Sequence, residues 1–211
     1  MEIIKVISLI LLSYITGSIP FSYIICKQIK GIDIRTVGSK NAGATNAGRV
    51  LGKAWFFIIT ILDALKGVLV ILLVQYLLKQ ELILTIPYLP VICGVAVILG
   101  HTYSLFLKFK GGKGVAVSAG VLLMLDHRLL LISVFIFIIT VAFSKYISLG
   151  SILASIILPV NVLIFYRNNM DYYFLIFCTV ISAYVIYKHR ENIKRLLSRT
   201  ERKWGEKINK K

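Results

Sequence analysis

AWFFIITILDALKGVLVILLVQYLL, Ala54 to Leu78, decides what kind of protein this is. A membrane-spanning helix needs roughly 20 apolar residues, and this run meets that length with only two charges, Asp63 and Lys66, inside it. Charged residues at membrane depth cost about 2.5–3.5 kcal/mol by insertion scales and are usually paired. Three residues apart on a helix, an acid and a base share a face. Asp63 and Lys66 therefore read as an internal ion pair with a structural role.

Six further apolar runs follow the same pattern: Ile3–Cys26, Ile86–Leu107, the short Val115–Leu125, Leu129–Phe143, Ile147–Phe165 and Tyr172–Tyr187. The chain as a whole is 58% hydrophobic with a mean hydropathy of +0.84, above the about 45–50% of soluble domains. The fold expected is an all-α integral membrane protein of about seven transmembrane helices. The first run is no signal peptide: it is too long, lacks a small-residue cleavage site and is interrupted by Gly17-Ser18-Ile19-Pro20. Pro20 predicts a kink in that span.

The basic residues choose the sides. The formal charge is +16. Lys27, Lys30, Arg35, Lys40, Arg49 and Lys53 fall in one loop, Lys108, Lys110 and Lys113 in another, then Lys145, and then the tail from Lys188 onward. All lie on the same alternating side. Lys5, Lys79, Arg128 and Arg167 fall on the opposite side. The positive-inside rule then predicts an outside N-terminus, a cytoplasmic C-terminus and an odd number of spans: seven, or five if the fourth and fifth runs are re-entrant or fused with their neighbours. Positive charge confined to short loops and a tail argues against nucleic-acid binding, which needs a basic face on a folded module. Cys26, Cys93 and Cys178 stand alone in apolar runs and read as small buried hydrophobes.

Three polar segments lie on the predicted cytoplasmic side. In GSKNAGATNAGR, Gly38 to Arg49, the residues Ser39, Asn41, Thr45 and Asn46 offer hydroxyls and amides. Arg49 offers a fork for phosphate or carboxylate. The same run also reads as a small-residue packing seam or a linker. In KFKGGKG, Lys108 to Gly114, lysines alternate with Gly111, Gly112 and Gly114. Such a loop can turn its N–H groups toward an anion beside Lys110 and Lys113, and a helix starting at Gly114 or Val115 would add its dipole. The competing reading is a basic turn that only sets topology. It is no Walker loop, since G-x-x-x-x-G-K-[ST] is absent. In KHRENIKRLL, Lys188 to Leu197, His189 and Asn192 share a helix face. His189 is a candidate base or anion ligand; a juxtamembrane helix drawn to anionic lipid is the alternative.

His101 lies near the inner end of the third span, just before the lysine loop, and is a candidate support for that phosphate site; a satisfied interfacial histidine is the alternative. His127 lies on the opposite side. The cytoplasmic acids Asp33, Glu191, Glu201 and Glu206 are scattered, which argues against a Mg²⁺ cluster. There is no G-x-S-x-G elbow. No histidine is followed by aspartate five residues on: His101, His127 and His189 meet Phe106, Ile132 and Lys194.

Taken together, GSIPFSYII, DIRTVGSKNAGATNAGRVLGK, GHTYSLFLKFKGGKGVA and KHRENIKRLLSRTE resemble the bacterial membrane glycerol-3-phosphate acyltransferases of the PlsY family. The resemblance runs end to end and in order. It implies a seven-span enzyme that moves an acyl group from acyl phosphate to the sn-1 hydroxyl of glycerol 3-phosphate, giving lysophosphatidate and phosphate. It implies that Ser39 and Arg49 match an essential serine and arginine. Gly111, Gly112, Lys113 and Gly114 match a glycerol-phosphate loop, His189 and Asn192 a polar pair, and Glu191 a structural acid. Two departures stand out: Lys40 where the family commonly has glycine, and Ala47-Gly48 where larger apolar residues are usual.

The resulting expectation is a catalytic membrane domain over 1–187, with cytoplasmic loops 27–53 and 108–114, and a basic cytoplasmic tail over 188–211 whose start joins the active site. Ser39, Arg49, His189 and Asn192 are the catalytic candidates. Asn41, Thr45, Asn46, His101, Lys110, Gly111, Gly112, Lys113 and Gly114 are the substrate contacts, and Asp63, Lys66 and Glu191 are structural. The partners are acyl phosphate, glycerol 3-phosphate and membrane lipids. No metal, cofactor, nucleic acid or obligate protein partner is called for. The location is the bacterial plasma membrane. A transporter or flippase for a phosphorylated small molecule is the rival reading; against it, no internal repeat is visible, and transporters usually carry one.

Overall fold

The structure, a computed structural model, describes residues 1–206, and every regular element among them is helical. The chain forms two compact units, residues 1–125 and 126–206. The first holds α1 (Glu2–Ser18), α2 (Phe21–Lys30), α3 (Ala44–Leu51), α4 (Lys53–Lys79), α5 (Leu89–Thr102), a 3₁₀ turn (Leu105–Leu107) and α6 (Val115–Leu125). The second holds α7 (His127–Ser144), α8 (Ile147–Phe165), α9 (Tyr172–Lys188) and α10 (Arg190–Leu197). Residues 207–211 of the expected tail lie outside the described residues.

All seven apolar runs are helical. Among the described residues, five segments are long and apolar enough to cross a membrane: Glu2–Lys30, Lys53–Lys79, Leu89–Leu107, His127–Ser144 and Ile147–Phe165. The pair α9 and α10, bent by 57°, makes a sixth if taken as one span. α6 has 11 residues, a rise of about 16 Å, well short of the roughly 30 Å of a bilayer core. Outward rows such as Phe57, Ile61, Leu65 and Leu69 on α4, and Leu131, Phe135 and Ile138 on α7, are exposed. Rows of that size belong against lipid.

In the first unit, Pro20 breaks the first span into α1 and α2. The ring removes a donor and blocks the helical path, which leaves the carbonyls before it without intrahelical partners. Other spans supply them. Lys66 Nζ donates to the carbonyls of Gly17 (3.2 Å) and Ile19 (3.0 Å), and Ser104 Oγ donates to that of Ser18 (2.5 Å). Two seams of small residues bring helices together. A Cβ at Gly17 would collide with the Val97 carbonyl and one at Gly100 with that of Tyr14, joining α1 to α5. Likewise Gly67 meets the Val117 carbonyl and Gly120 that of Ala64, which seats α6 on α4. Such close backbone approach drives association where lipid removes the hydrophobic incentive.

In the second unit α8 packs between α7 and α9. Asp126 caps α7 by accepting the Arg128 N–H (2.9 Å), and also accepts the Tyr166 hydroxyl from the end of α8 (2.5 Å). Burial alone would raise the Asp126 carboxyl; hydrogen bonds from Arg128 and Tyr166 outweigh it and bring it down to about 2. After α10 the chain turns back, and the Trp204 N–H donates to the Lys145 carbonyl (2.6 Å) at the turn between α7 and α8.

Candidate active site

The first polar loop, between α2 and α3, is built around one amide. Asn46 is buried. Its Oδ1 accepts the Ser39 N–H (3.0 Å), and its Nδ2 lies within reach of the carbonyls of Ile34 (3.0 Å), Val37 (3.0 Å) and Asn41 (3.2 Å). That engagement makes Asn46 the strut of the loop, and it presents Ser39 at the surface. Asn41 contributes its carbonyl to the same strut, while Thr45 is half-buried in the first turn of α3. Lys40 takes a left-handed φ of 57°, the conformation that favours glycine. Lys40, where the resemblance implies a glycine, thus follows a glycine-like path. Gly48 is required by α4, since a Cβ there would press on Phe56. Half-buried Arg49 stands in the last turn of α3.

This loop is tied to the second. Arg35 grips Asp33 through Nε (3.0 Å) and Nη2 (2.7 Å), and its Nη1 donates to the Leu107 carbonyl (3.1 Å). The hydrogen bond from Arg35 holds the Asp33 carboxyl below its ordinary value. Leu107 also shares a small core with Ile34, Ala42 and Ala47. The Ser39–Arg49 loop and the lysine loop are therefore built on one foundation. Asp33 and Arg35 sit two apart in DIRT, the signal for a local fork that sequence reading passed over.

The lysine loop folds back on the end of α5. Lys108 and Phe109 take left-handed φ values of 53° and 61°. The Gly111 N–H donates to the Thr102 carbonyl (3.2 Å) and the Gly112 N–H to the His101 carbonyl (3.0 Å). The expectation that these two N–H groups converge on an anion is corrected: they satisfy the orphan carbonyls at the end of α5. The glycines serve contact instead, because a Cβ on Gly111 would strike the His101 carbonyl and one on Gly112 the His101 imidazole at Nε2. What the loop offers an anion is half-buried Lys113, with exposed Lys110 nearby in sequence, and the start of α6 just after Gly114. The N-terminus of a helix carries a positive partial charge.

Beneath this loop Asp63, Lys66 and His101 are all buried. Lys66 Nζ lies 2.7 Å from Asp63 Oδ1, the expected internal pair.

In the second unit, His189 is buried at the end of α9 and its Nδ1 lies 2.8 Å from the Val185 carbonyl. A carbonyl only accepts, so Nδ1 carries the proton and Nε2 is the nitrogen able to accept one. Asn192 Nδ2 donates to Glu201 Oε1 (2.7 Å), as does Ser148 Oγ (2.8 Å), while Arg195 Nε donates to Oε2 (2.7 Å). Burial alone would raise the Glu201 carboxyl; these three donors outweigh it and hold it below its ordinary value. The buried acid of this segment is thus Glu201. Glu191, expected in that part, is exposed and reaches only Lys194 at 3.7 Å. Glu201 lies past the end of α10, and only the chain reversal brings it back to Asn192. Among the described residues no three His, Cys, Asp or Glu side chains gather as a metal site.

Comparison with known proteins places these features. Residues 7–199 match the family described as glycerol-3-phosphate acyltransferase. A glycerol-3-phosphate acyltransferase of Nostoc sp. is 43% identical over 212 residues, covering 95% of this chain and 92% of the relative. One of Clostridioides difficile is 43% identical over 209 residues, covering 98% and 99%. Among solved structures, the glycerol 3-phosphate form of PlsY, an integral membrane glycerol 3-phosphate acyltransferase, superposes with a TM-score of 0.83 at 37% identity over 95% of this chain and 96% of that one. Its lysophosphatidic acid form gives 0.80 at 36% identity, over 96% of each. The chain belongs to the glycerol-3-phosphate acyltransferase family, as a multi-pass membrane protein.

Proposed function

We propose that this enzyme transfers an acyl group from acyl phosphate to the sn-1 hydroxyl of glycerol 3-phosphate at the cytoplasmic face of the bacterial plasma membrane. The products are lysophosphatidate and phosphate. Family membership supports the acceptor: related crystal structures are of glycerol 3-phosphate and lysophosphatidic acid forms. The observation that supports the reading is the tie between the two loops at Leu107, whose carbonyl accepts from Arg35 and whose side chain shares a small core with Ile34, Ala42 and Ala47. Both substrates carry phosphate, and these loops supply an arginine fork and a lysine point charge for it.

Acyl phosphate is already activated, so positioning and charge neutralisation are the main demands. In this reading Lys113 holds the phosphate of glycerol 3-phosphate, and Arg49 with Ser39 stabilises the carbonyl and the departing phosphate. The hydroxyl oxygen bonds to the acyl carbon, the bond from that carbon to the phosphate oxygen breaks, and the proton passes to His189 Nε2. The bond from Nδ1 to the Val185 carbonyl supports that last assignment. Asn192, held by Glu201, orients the hydroxyl.

The test supplies acyl phosphate and labelled glycerol 3-phosphate to purified protein in detergent. Lysophosphatidate and phosphate formed one to one support the proposal; acyl-CoA in place of acyl phosphate should give no product. Glycerol 3-phosphate uptake into proteoliposomes without acylation would establish the transporter instead. A His189→Gln variant that kept most of its turnover would assign the proton to a substrate phosphate.

A further inference from the structure

Lys66 has four polar neighbours. Its Nζ lies 2.7 Å from Asp63 Oδ1, 3.2 and 3.0 Å from the carbonyls of Gly17 and Ile19, and 3.1 Å from His101 Nδ1. An ammonium has donors and no acceptor. With Lys66 as an ammonium, a proton on His101 Nδ1 would point N–H at N–H across that 3.1 Å, and the tautomer that fits this contact has Nδ1 accepting and the proton on Nε2. Asp63 Oδ1 is 3.5 Å from Nδ1, too far to claim the proton by a good hydrogen bond. All three side chains are buried.

Nε2 is the edge that meets the glycine loop. A Cβ added to Gly112 would strike it, and the Gly112 N–H is already donated to the His101 carbonyl. The imidazole thus backs Gly112 while its own carbonyl holds Gly112 in place. A small recess borders this contact, lined by Ser18, Ser22, Ser104, Asp63, His101 and Gly112.

We propose that Asp63 and Lys66 are positioning residues that fix His101 as the Nε2–H tautomer, and that this edge sets the path of Gly111–Gly112 and so the station of Lys113 for the phosphate of glycerol 3-phosphate. The assignment rests on the reading of Lys113 as the phosphate-holding cation. Its reach is specific: it bears on capture of the acceptor and leaves the acyl-transfer step itself alone.

Two measurements test it. The first is the ¹⁵N spectrum of histidine-labelled protein in detergent without substrates, His101 being assigned by its loss in H101Q. Wild type should show Nδ1 unprotonated and Nε2 protonated, and Lys66→Met should move the proton toward Nδ1 and Asp63. A wild-type spectrum with Nδ1 protonated overturns the proposal. The second compares H101Q with H101N. The glutamine amide nitrogen reaches the Nε2 position; that of asparagine reaches only the Nδ1 position. H101Q should keep KM for glycerol 3-phosphate near wild type. H101N should raise it by about ten-fold or more, because its shorter side chain withdraws the edge that Gly112 rests on, with kcat at saturation little changed. Equal KM values for the two variants, or a fall confined to kcat, overturns the positioning role. If Lys66→Met does not fold, the wild-type spectrum and the histidine pair still decide. Absence of acylation by wild type would sink the enzymatic reading alone, because the spectrum requires no turnover.

Discussion

Lys66 Nζ stands 3.0 Å from the carbonyl oxygen of Ile19, the residue before the proline that breaks the first span. One ammonium on α4 therefore serves both as partner to Asp63 and as cap to the end of α1. Removing one member of a buried pair strands the other at a cost of about 3–5 kcal/mol. Lys66→Met should lower stability by that order, read as thermal unfolding in detergent. Asp63→Asn added to it should recover only part, because the carbonyls of Gly17 and Ile19 stay unpaired at about 1–3 kcal/mol each. Full recovery in the double variant would show that the cap contributes nothing.

Gly120 on α6 packs so close to α4 that a Cβ there would collide with the Ala64 carbonyl. α6 is too short to find lipid contacts along a full span, so this seam is its anchor. Gly120→Ala should cost about 1–3 kcal/mol by overpacking, and Gly120→Leu should abolish a single well-behaved species on size exclusion. A stable, monodisperse Gly120→Leu protein would show that the seam yields.

Glu201 makes stability depend on acid. Its folded carboxyl lies below the ordinary value of 4.5, so the unfolded chain binds the proton more readily. The stabilising contribution is present above about 4.5 and is lost as pH falls through the lower folded value. Thermal stability of wild type should therefore decline below that point. Glu201→Gln should start about 1–3 kcal/mol lower, having lost the charge-assisted bond from Arg195, and should show a shallower acid decline. Parallel curves for the two proteins would remove Glu201 from the account.

Lys40→Gly should stabilise the protein slightly. Relief of a left-handed non-glycine residue is worth about 1–2 kcal/mol, and the freer unfolded chain takes back about 0.4–1 kcal/mol. A net gain of about 0.5–1 kcal/mol is expected in thermal unfolding. A loss would mean that the Lys40 ammonium makes a contact worth more than its backbone strain.

Periodicity and charge revealed the spans, because a hydrocarbon solvent imposes length and loop charge directly on composition. The Asp63–Lys66 pair was legible for the same reason. The bonding within loops was not. Gly111 and Gly112 read as anion cradles, since a glycine run leaves open where its N–H groups point; the end of α5 claims them. Glu191 was expected as the structural acid because the family resemblance implied it. The residue bonded to Asn192 is Glu201, whose approach depends on a reversal after α10 that no local spacing announces. Asn46 looked like a ligand contact for want of any sign that Ile34, Val37 and Asn41 would surround it.

Because the N–H groups of Gly111 and Gly112 are bonded to α5 by the chain itself, the loop has its shape before any substrate arrives. The conformational entropy of ordering it is settled when the protein folds, and binding has less of it left to overcome. If Lys113 holds a phosphate as proposed, a preformed loop suits a small, highly hydrated anion, whose few contacts would be poorly matched to the work of ordering a floppy segment.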